Sequence, residues 1–139
     1  MFVIDDRIMT SSTIIDDWPL STVILKNEKA VPWLILVPRV ENARELMDLS
    51  QDEQYQLSLE MAALSKLIKQ TFDCDKLNIA TLGNIVPQLH IHVVARTKTD
   101  PYWPESIWQS AYVSNAYDDN TFITLQKKLQ DLVKDTVFE

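Results

Sequence analysis

The sequence predicts one α+β domain over residues 1–139: an antiparallel sheet with a long helix packed on it and a C-terminal helix. Three observations carry this. Short β-branched runs lie close together and are joined by short connections. Two longer segments repeat apolar residues at helical spacing. No internal repeat and no Pro/Ser-rich linker divides the chain, and its 139 residues suffice for one buried core.

The first twenty residues read as an irregular arm or a short edge hairpin ending at Trp18-Pro19. Ser21–Lys26 is short and β-branched, hence a strand, and Asn27–Ala30 supplies a turn. Trp33–Val37 reads as a buried strand stopped by Pro38, so the two strands suggest an antiparallel hairpin. Ser50-Gln51-Asp52-Glu53 fits a capping box, in which serine and glutamate each satisfy a free backbone N–H. Leu57, Met61, Leu64 and Ile68 follow on one helical face, and this helix is expected to end near Phe72. Strands are expected over Lys76–Leu82 and Gln88–Arg96, joined by Gly83–Pro87. The sole glycine falls in that connection, where a positive φ or a close backbone approach is expected. Pro101–Trp108 is aromatic and proline-broken, an irregular segment for packing on the body or at a subunit contact. A last helix is expected over about Asn120–Val137, with Phe122, Leu125, Leu129 and Leu132 as its apolar stripe.

Composition removes whole classes of function. One glycine cannot build a phosphate-cradling P-loop or a dinucleotide fingerprint, each of which needs at least two. One cysteine and two histidines cannot make a Cys/His zinc finger. A formal net charge of −7 argues against sequence-independent nucleic-acid binding. Asp5 and Asp6 lie where a signal peptide would be basic and then apolar, and Cys74 has no partner for an internal disulfide. The longest apolar stretch, Ala30–Val37, is too short to cross a bilayer. A cytoplasmic protein with no membrane partner is expected.

The chemistry concentrates in residues 83–96. On a strand Gln88–Arg96, Leu89, Ile91, Val93 and Ala95 form an apolar face. Gln88, His90, His92 and Arg96 share the other face with Val94. Polar groups gathered there need water or a ligand. Two readings follow from the residues alone. The paired imidazoles can hold a metal, with acidic residues completing the shell. Alternatively, one imidazole attacks an electrophile such as phosphorus while the other and Arg96 bind its oxygens. No Asp or Glu lies within Leu77–Thr99, which weakens the metal reading.

Gly83-Asn84-Ile85-Val86-Pro87-Gln88-Leu89-His90-Ile91-His92-Val93-Val94 resembles the signature of the histidine-triad (HIT) superfamily, His-φ-His-φ-His-φ-φ with φ apolar. The hairpin ending Leu36-Val37-Pro38-Arg39, the helix that follows it and Trp103-Pro104 resemble further family features. The likeness covers about residues 20–108. It is similar above all to the bacterial HIT hydrolases in which glutamine replaces the first histidine.

The resemblance implies an α+β HIT-like fold and a nucleotide substrate such as a dinucleoside polyphosphate or a nucleoside phosphoramidate. It implies that His90, at the middle position, attacks the α-phosphorus and forms a covalent nucleotidyl-histidine. His92 takes the third position, against the phosphate or bridging atom, and Gln88 the first. Glutamine hydrogen-bonds there but carries no charge. The family pattern further implies ribose contact by Asn27 and phosphate contact by Asn84 and Asn78, although asparagine also serves simply as a turn residue. Ile85 replaces a Ser or Thr near the leaving group, and Trp33 replaces a supporting histidine. A homodimer is implied by resemblance alone. No cofactor is expected, although a divalent ion could accompany a polyphosphate. Two alternatives stand beside the enzyme: a nucleotide-binding sensor or partner protein that has lost efficient catalysis, and a metal-dependent enzyme with His90 and His92 as ligands.

Overall fold

The computed structural model describes residues 1–138. Its elements in order are α1 (Asp6–Met9), β1 (Ser12–Asp17), β2 (Ser21–Lys26), β3 (Trp33–Pro38), α2 (Gln51–Thr71), β4 (Lys76–Ala80), β5 (Ile91–Arg96) and α3 (Asp119–Lys134). The five strands form one antiparallel sheet in the order β1-β2-β3-β5-β4. The first twenty residues are therefore an arm with one helical turn, followed by an edge strand paired with β2.

The sheet buries both faces. Val23, Leu25, Leu34, Leu36, Ile91, Val93 and Ala95 point toward the long helix and meet its Leu57, Leu64, Leu67 and Ile68. Side chains of this size stabilise a fold by about 1.5–3 kcal/mol each when fully buried. Ile24, Trp33, Ile35, Val37 and Val94 occupy the opposite face, covered by Ile8 of the arm and by Ile107. Helix α2 begins as its capping box requires: Ser50 accepts from Glu53 N–H, and Glu53 accepts from Ser50 N–H. Its buried stripe also contains a carboxylate, Glu60, which accepts from the backbone N–H groups of Leu20 and Ser21 where β2 starts. In α3 the buried residues are Leu129 and Val133, while Leu132 is partly exposed, so the expected stripe is displaced by one residue at its end.

Two strands are shorter than the sequence suggests. β4 stops at Ala80, and Leu82 is exposed. β5 begins at Ile91, not Gln88, so Gln88 and His90 precede the strand. The cause lies in β3. The ladder pairs Leu36 with Ile91, and continuing it would set Pro38, which has no N–H, opposite Leu89. The Leu89 N–H instead donates to Ala43 C=O. Gly83 takes φ +73°, the left-handed conformation anticipated for the connection. Among the described residues, no helix is long and apolar enough to cross a membrane.

Candidate functional site

The two histidines lie where β5 begins. His92 is on the strand, flanked by Ile35 of β3 and Ala80 of β4, and His90 stands just before it. Their rings meet edge to face with centroids 4.8 Å apart. Each ring has one nitrogen engaged. His90 Nδ1 lies 2.6 Å from the Gln88 backbone C=O, which can only accept, so Nδ1 carries the proton. Neutral His90 therefore keeps its lone pair on Nε2. His92 has the opposite arrangement. Trp33 Nε1–H donates to His92 Nδ1 at 3.0 Å, so the proton of neutral His92 sits on Nε2. Burial, reinforced by the nearness of His90 and Lys26, pushes the His92 pKa down to about 3. His92 is thus a neutral hydrogen-bond donor at physiological pH.

Aromatic residues wall the pair. Trp33 meets Trp108 and Tyr112 edge to face with centroids 5.9 Å away in both cases, and Trp108 lies 5.7 Å from His92. The segment carrying Tyr112 is anchored on the turn after β2. Ser114 Oγ and Asn115 N–H donate to the buried carboxylate of Glu28, and Tyr117 N–H donates to Asn27 Oδ1. On the other side runs the N-terminal arm. Asp5 N–H donates to Gln88 Oε1, and Gln88 Nε2–H donates to Val3 C=O, both at 2.8 Å. Arg7 donates to Ile85 C=O and is paired with Asp5, whose carboxyl it holds down at a pKa of about 2. His90 is left only 7% exposed.

The residues singled out from the sequence thus separate in space. His90 and His92 come together, and Gln88 lies beside them with its carboxamide turned to the arm. Asn84 is exposed in the 83–87 loop, beside Ile85. Arg96 and Asn78 lie elsewhere: Arg96 is 1% exposed, donates to both Asp100 carboxylate oxygens and to Asn78 Oδ1, and lies over Trp103. Each of its guanidinium nitrogens already has a partner there, because a buried charge requires a counter-charge. The phosphate contacts expected of Arg96 and Asn78 are not what these side chains are arranged to make. Sequence reasoning missed Val3, Asp5, Arg7 and Glu28. Nothing in a local pattern ties Gln88 to residues 83 and 85 positions away. Among the described residues, no group of three His, Cys, Asp or Glu side chains is placed to hold a metal.

A family model described as the HIT domain matches residues 8–99, which include the strand pair, the long helix and both histidines. The chain belongs to the HIT domain family. Solved structures agree with this. A histidine triad protein from Marinobacter aquaeolei is 36% identical, with 99% of each chain covered and a TM-score of 0.92. One from Bradyrhizobium japonicum is 37% identical over 95% of this chain and 98% of that one, with a TM-score of 0.89. A hypothetical histidine triad nucleotide-binding protein from Sulfolobus tokodaii, 15% identical with a TM-score of 0.64, shares the fold. That comparison covers 94% of this chain and 88% of that one. No curated protein matches. The His90 and His92 arrangement is therefore set in a HIT fold.

Proposed function

We propose that this HIT protein binds a nucleotide and hydrolyses or transfers it at the α-phosphate. The substrate class is a dinucleoside polyphosphate or a nucleoside phosphoramidate. One observation carries the reading: His90 Nδ1 is held by the Gln88 carbonyl, so the Nε2 lone pair is free for attack. That lone pair forms a bond to the α-phosphorus while the bond to the leaving group breaks. The imidazole then becomes cationic, and the Gln88 carbonyl, already on Nδ1–H, stabilises the new charge. His92 Nε2–H donates a hydrogen bond to a phosphoryl or bridging oxygen, a role that suits a neutral imidazole with its other nitrogen fixed by Trp33. Water or an acceptor then takes the nucleotidyl group, and His90 returns to its neutral form. Asn84, exposed on the neighbouring loop, is assigned to the phosphate, and Asn27 to the ribose. The reading includes a homodimer and a cytoplasmic location.

The test is a panel of adenosine phosphoramidates and dinucleoside polyphosphates, assayed for released nucleoside monophosphate. Wild type should turn over at least one of them, with His90→Ala slower by about a thousandfold or more, as removal of a nucleophile requires. A second reading, a nucleotide-binding sensor, is favoured by the burial of His90 and by Trp33, Ile85 and Gln88 at positions where the family pattern differs. Binding without any turnover dependent on His90 would select it.

A further inference from the structure

A phosphate-rich substrate needs a positive partner, and a chain of net charge −7 must supply it locally. The cations first expected there are taken or absent. Arg96 is held by Asp100, Arg7 by Asp5, and His92 is neutral at physiological pH. Lys26, the last residue of β2, is placed differently. The β2–β3 ladder pairs Leu25 with Leu34, which sets Lys26 beside Trp33 on the sheet face that also carries Ile35 and His92. Its ammonium lies over the Trp33 ring, 4.8 Å from the centroid. Trp33 in turn donates to His92 Nδ1, so one indole stands between the lysine and the imidazole. Lys26 is half-buried, and among the described residues its ammonium pairs with no carboxylate. Glu28, two residues on, is turned instead to Ser114 and Asn115. The ring face attracts the cation without neutralising it. Its positive charge is felt at His92, whose protonation it opposes.

We infer that Lys26 is a specificity-determining residue: its ammonium binds phosphate charge that the substrate carries beyond the phosphorus at His90, so the site favours a dinucleoside polyphosphate over a nucleoside phosphoramidate. This rests on the nucleotide reading above and narrows it. The intervening indole keeps Lys26 off the reacting phosphorus, which is left to His90 and His92. A phosphoramidate brings one negative charge to the site. A polyphosphate brings several, and only the second gains much from a further cation. The flexible lysine stem lets the ammonium leave the ring face and direct its three N–H donors at phosphate oxygens.

The test is calorimetric binding of AMP, ADP and ATP in the presence of EDTA, a series in which phosphate charge alone increases. Wild type should bind ATP about tenfold more tightly than AMP, since a hydrogen bond from a charged donor contributes about an order of magnitude. Lys26→Met keeps an unbranched apolar side chain on Trp33 and removes the charge. It should weaken ATP about tenfold and AMP less than about threefold, and Lys26→Arg should restore most of the loss. Lys69→Met, at an exposed position on α2, makes the same change in net charge and should leave ATP binding within about twofold. Wild type alone gives a reading that needs no variant to fold: added salt should weaken ATP several-fold and AMP little. Equal binding of AMP and ATP by wild type would overturn the assignment. So would ATP binding unchanged in Lys26→Met, an equal loss in Lys69→Met, or indifference of ATP binding to salt. Each of these leaves the nucleotide reading standing, whereas failure of wild type to bind any of the three nucleotides would overturn both.

Discussion

His90 and His92 stand two residues apart, yet their neighbours give the two imidazoles opposite tautomers. A backbone carbonyl accepts a hydrogen bond from His90 Nδ1–H, while an indole N–H donates to the Nδ1 lone pair of His92. Trp33→Phe keeps an aromatic ring against Trp108 and Tyr112 but removes that donor. It should free the His92 tautomer, visible in ¹⁵N shifts of the ring. It should also lower kcat/KM by about tenfold, the kinetic equivalent of about 1.4 kcal/mol. Burial of neutral His92 also carries a pH signature. The unfolded chain takes up a proton near its ordinary pKa of 6.5, which the folded chain refuses until about 3. Stability should therefore fall as pH drops through that window, by an amount on the order of a few kcal/mol. Thermal unfolding of wild type and His92→Gln from pH 7 to pH 4 checks this: the difference between them should diminish or reverse as pH falls. At this scale the sequence is legible where alternation operates. The apolar face of Leu89, Ile91, Val93 and Ala95 was readable from period two alone, as was the placing of His92 on the other face. The partners of Gln88 and Arg96 were not, because they are set by tertiary contacts rather than by spacing.

The elements show where local signals are sufficient. Helix α2 starts at its Ser50 cap and ends at Thr71 because serine, glutamate and a spaced apolar stripe all specify the same helix. The late start of β5 was invisible, since it depends on Pro38 in another strand. Glu60 was invisible for a related reason. It sits within the apolar stripe of α2 and is retained because it accepts two backbone N–H groups and the Gln56 amide. Glu60→Gln places an NH₂ against one of those N–H donors. We expect it to destabilise the protein by about 2 kcal/mol, read as a lower urea midpoint at unchanged slope. The sole glycine is constrained by backbone rather than by space. A Cβ at Gly83 would approach nothing closer than 3.8 Å, but φ is +73°. Gly83→Ala should cost about 1 kcal/mol through φ alone, measured in the same unfolding experiment.

Across the whole molecule, one face of the sheet carries the packed helix, and the other is covered by the arm and by a later segment that includes Ile107, Trp108 and Tyr112. The arm is held at Gln88, and the later segment at Asn27 and Glu28. The buried Arg96–Asp100 pair fixes the turn from which that later segment starts. Asp100→Ala leaves a buried guanidinium without its carboxylate, and a loss of about 3–5 kcal/mol is expected in calorimetric or denaturant unfolding. The fold class followed from composition and periodicity, and the motif marked the right end of the right strand. The docking of the arm did not follow from either, because it joins residues 3–7 to residues 85–88, 78 to 85 positions away. The proposed chemistry requires a covalent bond from His90 to the substrate's phosphorus. The direct measurement is acid-free rapid quench of wild type with a nucleoside phosphoramidate, followed by peptide mapping at neutral to basic pH. The expected result is a nucleoside monophosphoryl group on His90, absent from His90→Ala. An adduct on another residue, or nucleotide release that proceeds unchanged in His90→Ala, would contradict it.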